Sequence, residues 1–297
     1  MAALPRPFAK LCDLADFEDP ELLAAIRSVI PERDPGAHVE RKAWEMGMLA
    51  LFLAQAGRLT EDTRVLAIGA GTERVLFWLA GRAGQVVATD IYGTGPFAAQ
   101  EAPASMLADP ARHAPYPYPE DRLEVRYMDA RALDLPDASF DAAFSLSSFE
   151  HFGGPRDVAA AARELGRVLR PGGHAFLAVD CFARRHPLDS APADFARRIA
   201  TLGRRYRAAT PRRRAALGEV FTPRELGRLI VAPSGLELLQ PLDLTLSPRT
   251  RREAGFPDSG ARVLLRAKRS LYTSATLALR KRGEAQPAGG SGSSDSR

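Results

Sequence analysis

The stretch Val65-Leu66-Ala67-Ile68-Gly69-Ala70-Gly71-Thr72-Glu73 constrains this chain more than any other. Four apolar residues run into Gly-x-Gly, and Val75, Leu76 and Leu79 follow at helical spacing. The pattern predicts a buried parallel strand that turns tightly into a helix. Glycines let the backbone turn sharply and let a ligand come close. The helix start then presents backbone N–H groups to an anionic group. A second apolar strand, Val86-Val87-Ala88-Thr89, ends at Asp90, whose carboxylate can accept both hydroxyls of a ribose. Gly-x-Gly alone is a weak signal; with Asp90 it points to a nucleoside-containing ligand.

With 297 residues the chain can hold one large domain or two small ones, and 45% hydrophobic with 26% charged residues is the balance of a globular protein. A net charge of +5 permits anionic partners without demanding them. The two cysteines, Cys12 and Cys181, give neither a disulfide framework nor metal-ligand spacing, and fit buried thiols in a reducing compartment. The first seventeen residues have no apolar core, so no secretory signal is expected, and the run Met46 to Ala54 is too short to span a bilayer. These features predict a cytoplasmic protein.

Along the chain, Asp19-Pro20 starts a helix with an N-cap and a first-turn proline, and Pro31 stops it. A second helix is expected from about Val39 to Ala56. Its first turns carry His38, Glu40, Arg41, Lys42, Trp44 and Glu45, either a solvated helix start with Trp44 on the core or a lid over the ligand. After Asp90 comes a long polar, proline-rich connection, Ile91 to Asp121, read as part of a substrate rim because long loops in compact domains are usually functional or disordered. A third strand, Leu123 to Ala130, ends in an acid, and a fourth, Ala142 to Leu146, is followed by Ser147-Ser148-Phe149-Glu150-His151. A helix from about Asp157 to Leu169 closes at Arg170-Pro171-Gly172-Gly173, before a fifth strand, His174 to Val179. Beyond Cys181, Phe195, Ile199, Leu202 and Tyr206 mark one helix face, while Arg197, Arg198, Arg204, Arg205, Arg207, Arg212, Arg213 and Arg214 form a basic run. That run is either a solvated face or a site for phosphorylated substrate, nucleic acid or an anionic membrane surface. A helix at Thr222-Pro223 and strands at Leu236–Leu239 and Thr276–Leu279 complete the pattern, and the Gly/Ser-rich tail 283–297 reads as disordered.

A dinucleotide fingerprint would need a third glycine where Arg74 stands, so that pattern fails. The ordered segments from Thr63 to Asp180, including Arg167-Val168-Leu169-Arg170-Pro171-Gly172-Gly173, instead resemble class I S-adenosylmethionine (SAM)-dependent methyltransferases. The Gly-Ala-Gly-Thr-Glu variant and the His-Val-Glu-Arg-Lys-Ala-Trp-Glu helix look like a less characterised bacterial subgroup. Two departures stand out: Ala67 occupies the place of an acid, and Glu73 the place of a third glycine. The resemblance implies an α/β fold: a seven-stranded Rossmann-like sheet, helices on both faces and an antiparallel last strand. Domain boundaries are expected at 1–60 (helical extension), 61–181 (SAM-binding core), 182–220 (basic helical insertion), 221–282 (the rest of the core) and 283–297 (tail).

The resemblance further implies SAM as cofactor, held by Gly69, Ala70, Gly71, Asp90, Ile91, Asp129, Ala130, Ser145 and Leu146. Glu73 either replaces the missing acid near the ammonium of SAM, or points to solvent and only caps its helix. His151, past strand four, is the candidate general base, with Glu150 as the alternative and a loop-bonding His151 as the bland reading. Asp180 could orient substrate. No compact metal-ligand spacing is seen, and no metal is expected. The expected acceptor is an oxygen or nitrogen on a small or glycan-like molecule. RNA is disfavoured because no aromatic-rich basic sheet is visible. A nucleoside-binding protein without catalysis is the rival reading.

Overall fold

The computed structural model describes residues 4–37, 39–189, 219–253 and 263–283. His38, the arginine run from Arg197 to Arg214 and the tail from 284 lie outside the described residues. Four strands are parallel: β1 Arg64–Ile68, β2 Gln85–Asp90, β3 Leu123–Tyr127 and β4 Phe140–Leu146. β5 Leu169–Arg184 continues them beside β4. β6 Glu237–Leu238, β7 Leu265–Ala267 and β8 Ser270–Arg280 complete the sheet. The order is β3-β2-β1-β4-β5-β8-β6, with β7 hydrogen-bonded to β8. β8 is antiparallel to β5. The sheet therefore has eight strands rather than the expected seven. The addition is β7, whose three residues alternate over too short a length to be recognised in the sequence.

Helices cover both faces. On one side lie α1 Pro20–Val29, α2 Arg41–Gln55 and α3 Arg74–Ala80. On the other lie α5 Pro155–Val168, numbered after the short α4 Ser105–Ala108, and the helical stretch 223–234. Strand residues alternate between the two cores: Val65 and Ala67 face α2, while Leu66 and Ile68 face α5. Both faces being covered, the strands read as continuous apolar runs. α2 is buried nearly all round because α1 lies across it. Gly47 allows that crossing, since a Cβ there would sit 2.6 Å from Ile26 Cγ1. At the far end of α5, Lys281 Nζ donates to the carbonyls of Gly166 and Leu169, at 2.8 and 2.7 Å, a cation on a helix C-terminus. The Arg170–Gly173 segment is absorbed by a register irregularity between Phe140 and Ala142 at the start of β5.

The first residues do not stand apart from the sheet. On the outer edge of β8, residues 10–12 sit between β6 and β7: Cys12 N–H donates to Ser274 O and Thr276 N–H to Lys10 O, both at 2.8 Å. Phe8 is fully buried, with its ring 5.4 Å from that of Phe52 on α2. Removing this ring should cost about 3–5 kcal/mol, the range for a core Phe→Ala change. Urea unfolding of Phe8→Ala checks this; a loss under about 1 kcal/mol would mean the segment is only laid on the surface.

Candidate functional site

The sheet reverses its order between β1 and β4, and the crevice outside their carboxyl ends is where open α/β sheets bind ligands. A cavity of about 580 Å³ lies there, within the size range of small-molecule sites. Its floor is the turn after β1. Gly69 and Gly71 hold φ of +64° and +50°, a region glycine enters without strain. Space is equally tight: a Cβ on Gly69 would lie 2.6 Å from Ser148 Cβ, and one on Gly71 2.6 Å from the Glu101 carbonyl. The turn is thus packed between the loop after β4 and the long connection from Ile91. That connection is anchored by its tyrosines: the Tyr92 hydroxyl donates to Gly71 O at 3.0 Å, and Tyr118 packs edge-on against Phe77 of α3. From it, Thr94, Pro96, Phe97, Glu101 and Ala102 line the cavity.

Over β2 and β3 the walls are Asp90, Ile91, Met128, Asp129, Ala130 and Arg131. Asp90 accepts the Gly71 N–H at 2.9 Å and the Ile91 N–H at 2.7 Å. Burial raises its carboxyl above the usual range, against the pull of those two donors. Asp129 is gripped by Arg131, whose Nε donates to both oxygens, at 2.9 and 3.0 Å. Arg131 accordingly lowers the Asp129 carboxyl.

Over β1 and β4 the cavity meets charge. Glu73 is the N-cap of α3, yet its side chain makes no capping hydrogen bond. It is mostly buried and pairs with Lys42 of α2 at 2.5 Å, so it is neither a solvent-facing residue nor a helix cap. Leu146 ends β4, and Ser147 (φ +52°) and Ser148 turn the chain away. His151 follows on a single 3-10 turn and lines the cavity. Its ring lies 4.7 Å from that of Phe97, and Nδ1 is 3.5 Å from Glu219 Oε2. Burial lowers the His151 pKa, with Lys42 acting the same way; Glu219, Asp180 and Glu101 act in the opposite sense. Trp44 packs into the core, its Nε1 donating to Asp16 at 2.8 Å.

Two of the expected site residues fall elsewhere. Ser145 does not line the cavity, because strand alternation turns it toward the face opposite Phe144 and Leu146; Ser147 and Ser148 stand at the wall instead. Glu150 is buried behind the cavity, where its Oε1 accepts the Asp180 N–H at 3.2 Å. Burial, reinforced by the Asp180 charge, pushes its carboxyl up to about 8. Asp180 itself is ion-paired to Arg41 of α2. Lys42, Phe97, Arg131 and Glu219 were not among the sequence candidates. Lys42 and Arg41 at least belonged to the polar cluster at the start of α2. Among the described residues, no group of three or more His, Cys, Asp or Glu side chains is placed to hold a metal ion.

Residues 66–177 match the family described as "Methyltransferase domain". A curated relative, the 27-O-demethylrifamycin SV methyltransferase of Amycolatopsis mediterranei (strain S699), is 44% identical over 54 residues, which are 18% of this chain and 19% of that protein. The chain thus spans about a fifth of the length of that relative. Among solved structures, the [4+2]-cyclase SpnF is similar over 94% of this chain and 100% of its own, at 19% identity and a TM-score of 0.49. Geranyl diphosphate C-methyltransferase from Streptomyces coelicolor A3(2) is similar over 94% of this chain and 90% of its own, at 16% identity and a TM-score of 0.46. The family match, on a sheet of this order with this glycine turn, makes residues 66–177 a class I SAM-dependent methyltransferase domain. S-adenosyl-L-methionine is its cofactor.

The residues present suit that cofactor. The glycine turn leaves backbone, not side chain, at the cavity floor; Asp90 offers carboxylate oxygens beside β2; and a Lys–Glu pair matches the charges of an amino-acid end. Asp90→Ala should weaken SAM binding by ~1.5–3 kcal/mol, the range for hydrogen bonds to charged groups. Titration calorimetry measures it; unchanged affinity in a folded variant would remove Asp90 from the ribose site.

Proposed function

We propose that the whole chain is an enzyme that transfers a methyl group from SAM to an oxygen or nitrogen of a small-molecule or glycan-like acceptor. The observation that carries this reading is His151 on the wall of the cavity that also holds Asp90 and Glu73. The name of the Amycolatopsis relative, 27-O-demethylrifamycin SV methyltransferase, supports an oxygen on a small molecule. The proposed cofactor residues are Gly69, Ala70, Gly71, Glu73, Asp90, Ile91, Asp129, Ala130 and Leu146. No helix among the described residues is long and apolar enough to cross a membrane, and Cys12 and Cys181 are buried and unbridged, which suits the cytoplasm.

When bound, SAM supplies a methyl already activated by its sulfonium. The work of the protein is then positioning and exclusion of water. Phe97 and Phe152 give the acceptor side of the cavity an apolar wall around His151. An alcohol is a poor nucleophile, so a hydroxyl acceptor benefits from a base that takes its proton. His151 suits this task, because burial keeps the ring neutral and Glu219 faces Nδ1, fixing which nitrogen is left for the acceptor. Glu150 suits it less: it sits behind the cavity wall, and its carboxyl holds its proton near neutral pH. We assign the base to His151 and leave Glu150 a supporting role beside Asp180.

Incubating the protein with methyl-labelled SAM and a small-molecule extract tests the reading. Label in a small molecule supports it. Label in RNA would move the assignment to a nucleic-acid acceptor, and SAM binding without any transfer would favour a non-catalytic binding protein. With an acceptor in hand, His151→Ala should cut kcat by ~10²–10⁴-fold with little change in SAM affinity. A base must be unprotonated, so activity should fall on the acid side, with its midpoint below the ordinary histidine value of 6.5. A loss below about tenfold would mean that positioning alone suffices, as it can for an amine.

A further inference from the structure

Lys42 stands where three elements meet. Its Nζ is 2.5 Å from Glu73 Oε1 at the start of α3 and 3.4 Å from Glu45 Oε2 on its own helix. It also donates to the Leu146 carbonyl at the end of β4, at 3.0 Å. Lys42 and Glu73 face the cavity, whereas Glu45 does not. Glu45 is sealed behind them at 1% exposure, accepting the hydroxyls of Ser147 (2.8 Å) and Ser274. Two carboxylates thus share one ammonium, and the group is one positive charge short of neutral. Ala67, apolar and buried, adds no charge to this end of β1. Burial works against the charge on Lys42, but Glu73 and Glu45 hold it in place. Glu73 is raised by burial in spite of Lys42, a carboxylate with room for a second cationic partner.

Position along the sheet gives this group its ligand. Asp90 lies over β2, with Asp129 and Ala130 beyond it over β3; the Lys42–Glu73 pair lies on the other side, over β1 and β4. A ribose on Asp90 with its base toward β3 sends the remaining arm of the cofactor toward Lys42 and Glu73. In SAM that arm carries an α-ammonium and an α-carboxylate. We propose that Lys42 and Glu73 together receive this zwitterion, Lys42 taking the α-carboxylate and Glu73 the α-ammonium, while Glu45 keeps Lys42 aimed at the cavity. Helix α2, outside the matched residues 66–177, then completes the cofactor site. The inference rests on SAM being the cofactor and is independent of which acceptor is used.

Calorimetry with three ligands tests it: SAM, decarboxylated SAM (ammonium but no carboxylate) and 5′-methylthioadenosine, which lacks the whole amino-acid arm. Lys42→Met should weaken SAM by ~10–100-fold and leave decarboxylated SAM unchanged. Glu73→Gln, which keeps the size of the side chain, should weaken both. Neither variant should alter 5′-methylthioadenosine, and that constancy also shows that the pocket is intact. Equal losses for all three ligands, or none for any, would overturn the subsite while SAM remained the cofactor. A wild-type protein that bound none of the three would remove the cofactor assignment itself, and the subsite with it.

Discussion

Asp90 ties the end of β2 to the glycine turn after β1 through the Gly71 and Ile91 N–H groups. The Ala70 N–H adds a second tie, to Thr89 O at 3.0 Å, and the Thr89 hydroxyl donates back to Ala67 O. With the turn fixed in left-handed conformation, Ser148 can donate to Gly69 O at 2.8 Å, which sets the loop after β4. The same turn starts α3 at Glu73 and points that carboxylate at α2. Cavity floor, ribose acceptor and charged end are therefore positioned by one set of backbone hydrogen bonds. The cost of burying a carboxylate at Asp90 is offset only while both N–H groups reach it.

Charge then fixes how α2 sits. Arg41 pairs with Asp180 on β5, Lys42 with Glu73, and Glu45 with serines beside β4 and on β8. Buried pairs of this kind add little net stability against apolar replacements, but breaking one by removing a single partner costs about 3–5 kcal/mol. Their effect here is on register. A one-residue slip of α2 would leave three charged groups without partners, while the apolar contacts of α2 with α1 would change far less.

Much of this was legible from residue order. Apolar runs ending in Gly-x-Gly or an acid gave β1 and β2, and Asp19-Pro20 gave the start of α1, because each pattern rests on local backbone chemistry. What stayed hidden depends on pairings between distant residues. Ser145 and Ser147 look alike in sequence, but one lies inside β4 and the other just past its end. Asp129 is visible as an acid after a strand, whereas its engagement by Arg131 depends on the turn between them. Glu219 reaches His151 across 68 residues, a distance no periodicity encodes. Lys42 was visible only as one charge among several on a helix start, since nothing in the heptad-length neighbourhood says which charges point inward.

The place of β8 has a consequence for how the chain is made. This strand enters the sheet between β5 and β6 although it is synthesised after both, and its outer edge also receives residues 10–12. A nascent chain that has produced β1 to β5 holds an open edge on β5 and an N-terminal strip with nothing to pair to. Both wait for residues 270–280 to leave the ribosome. Such long-range closure is slow, and the exposed edge is the kind of surface that chaperones cover.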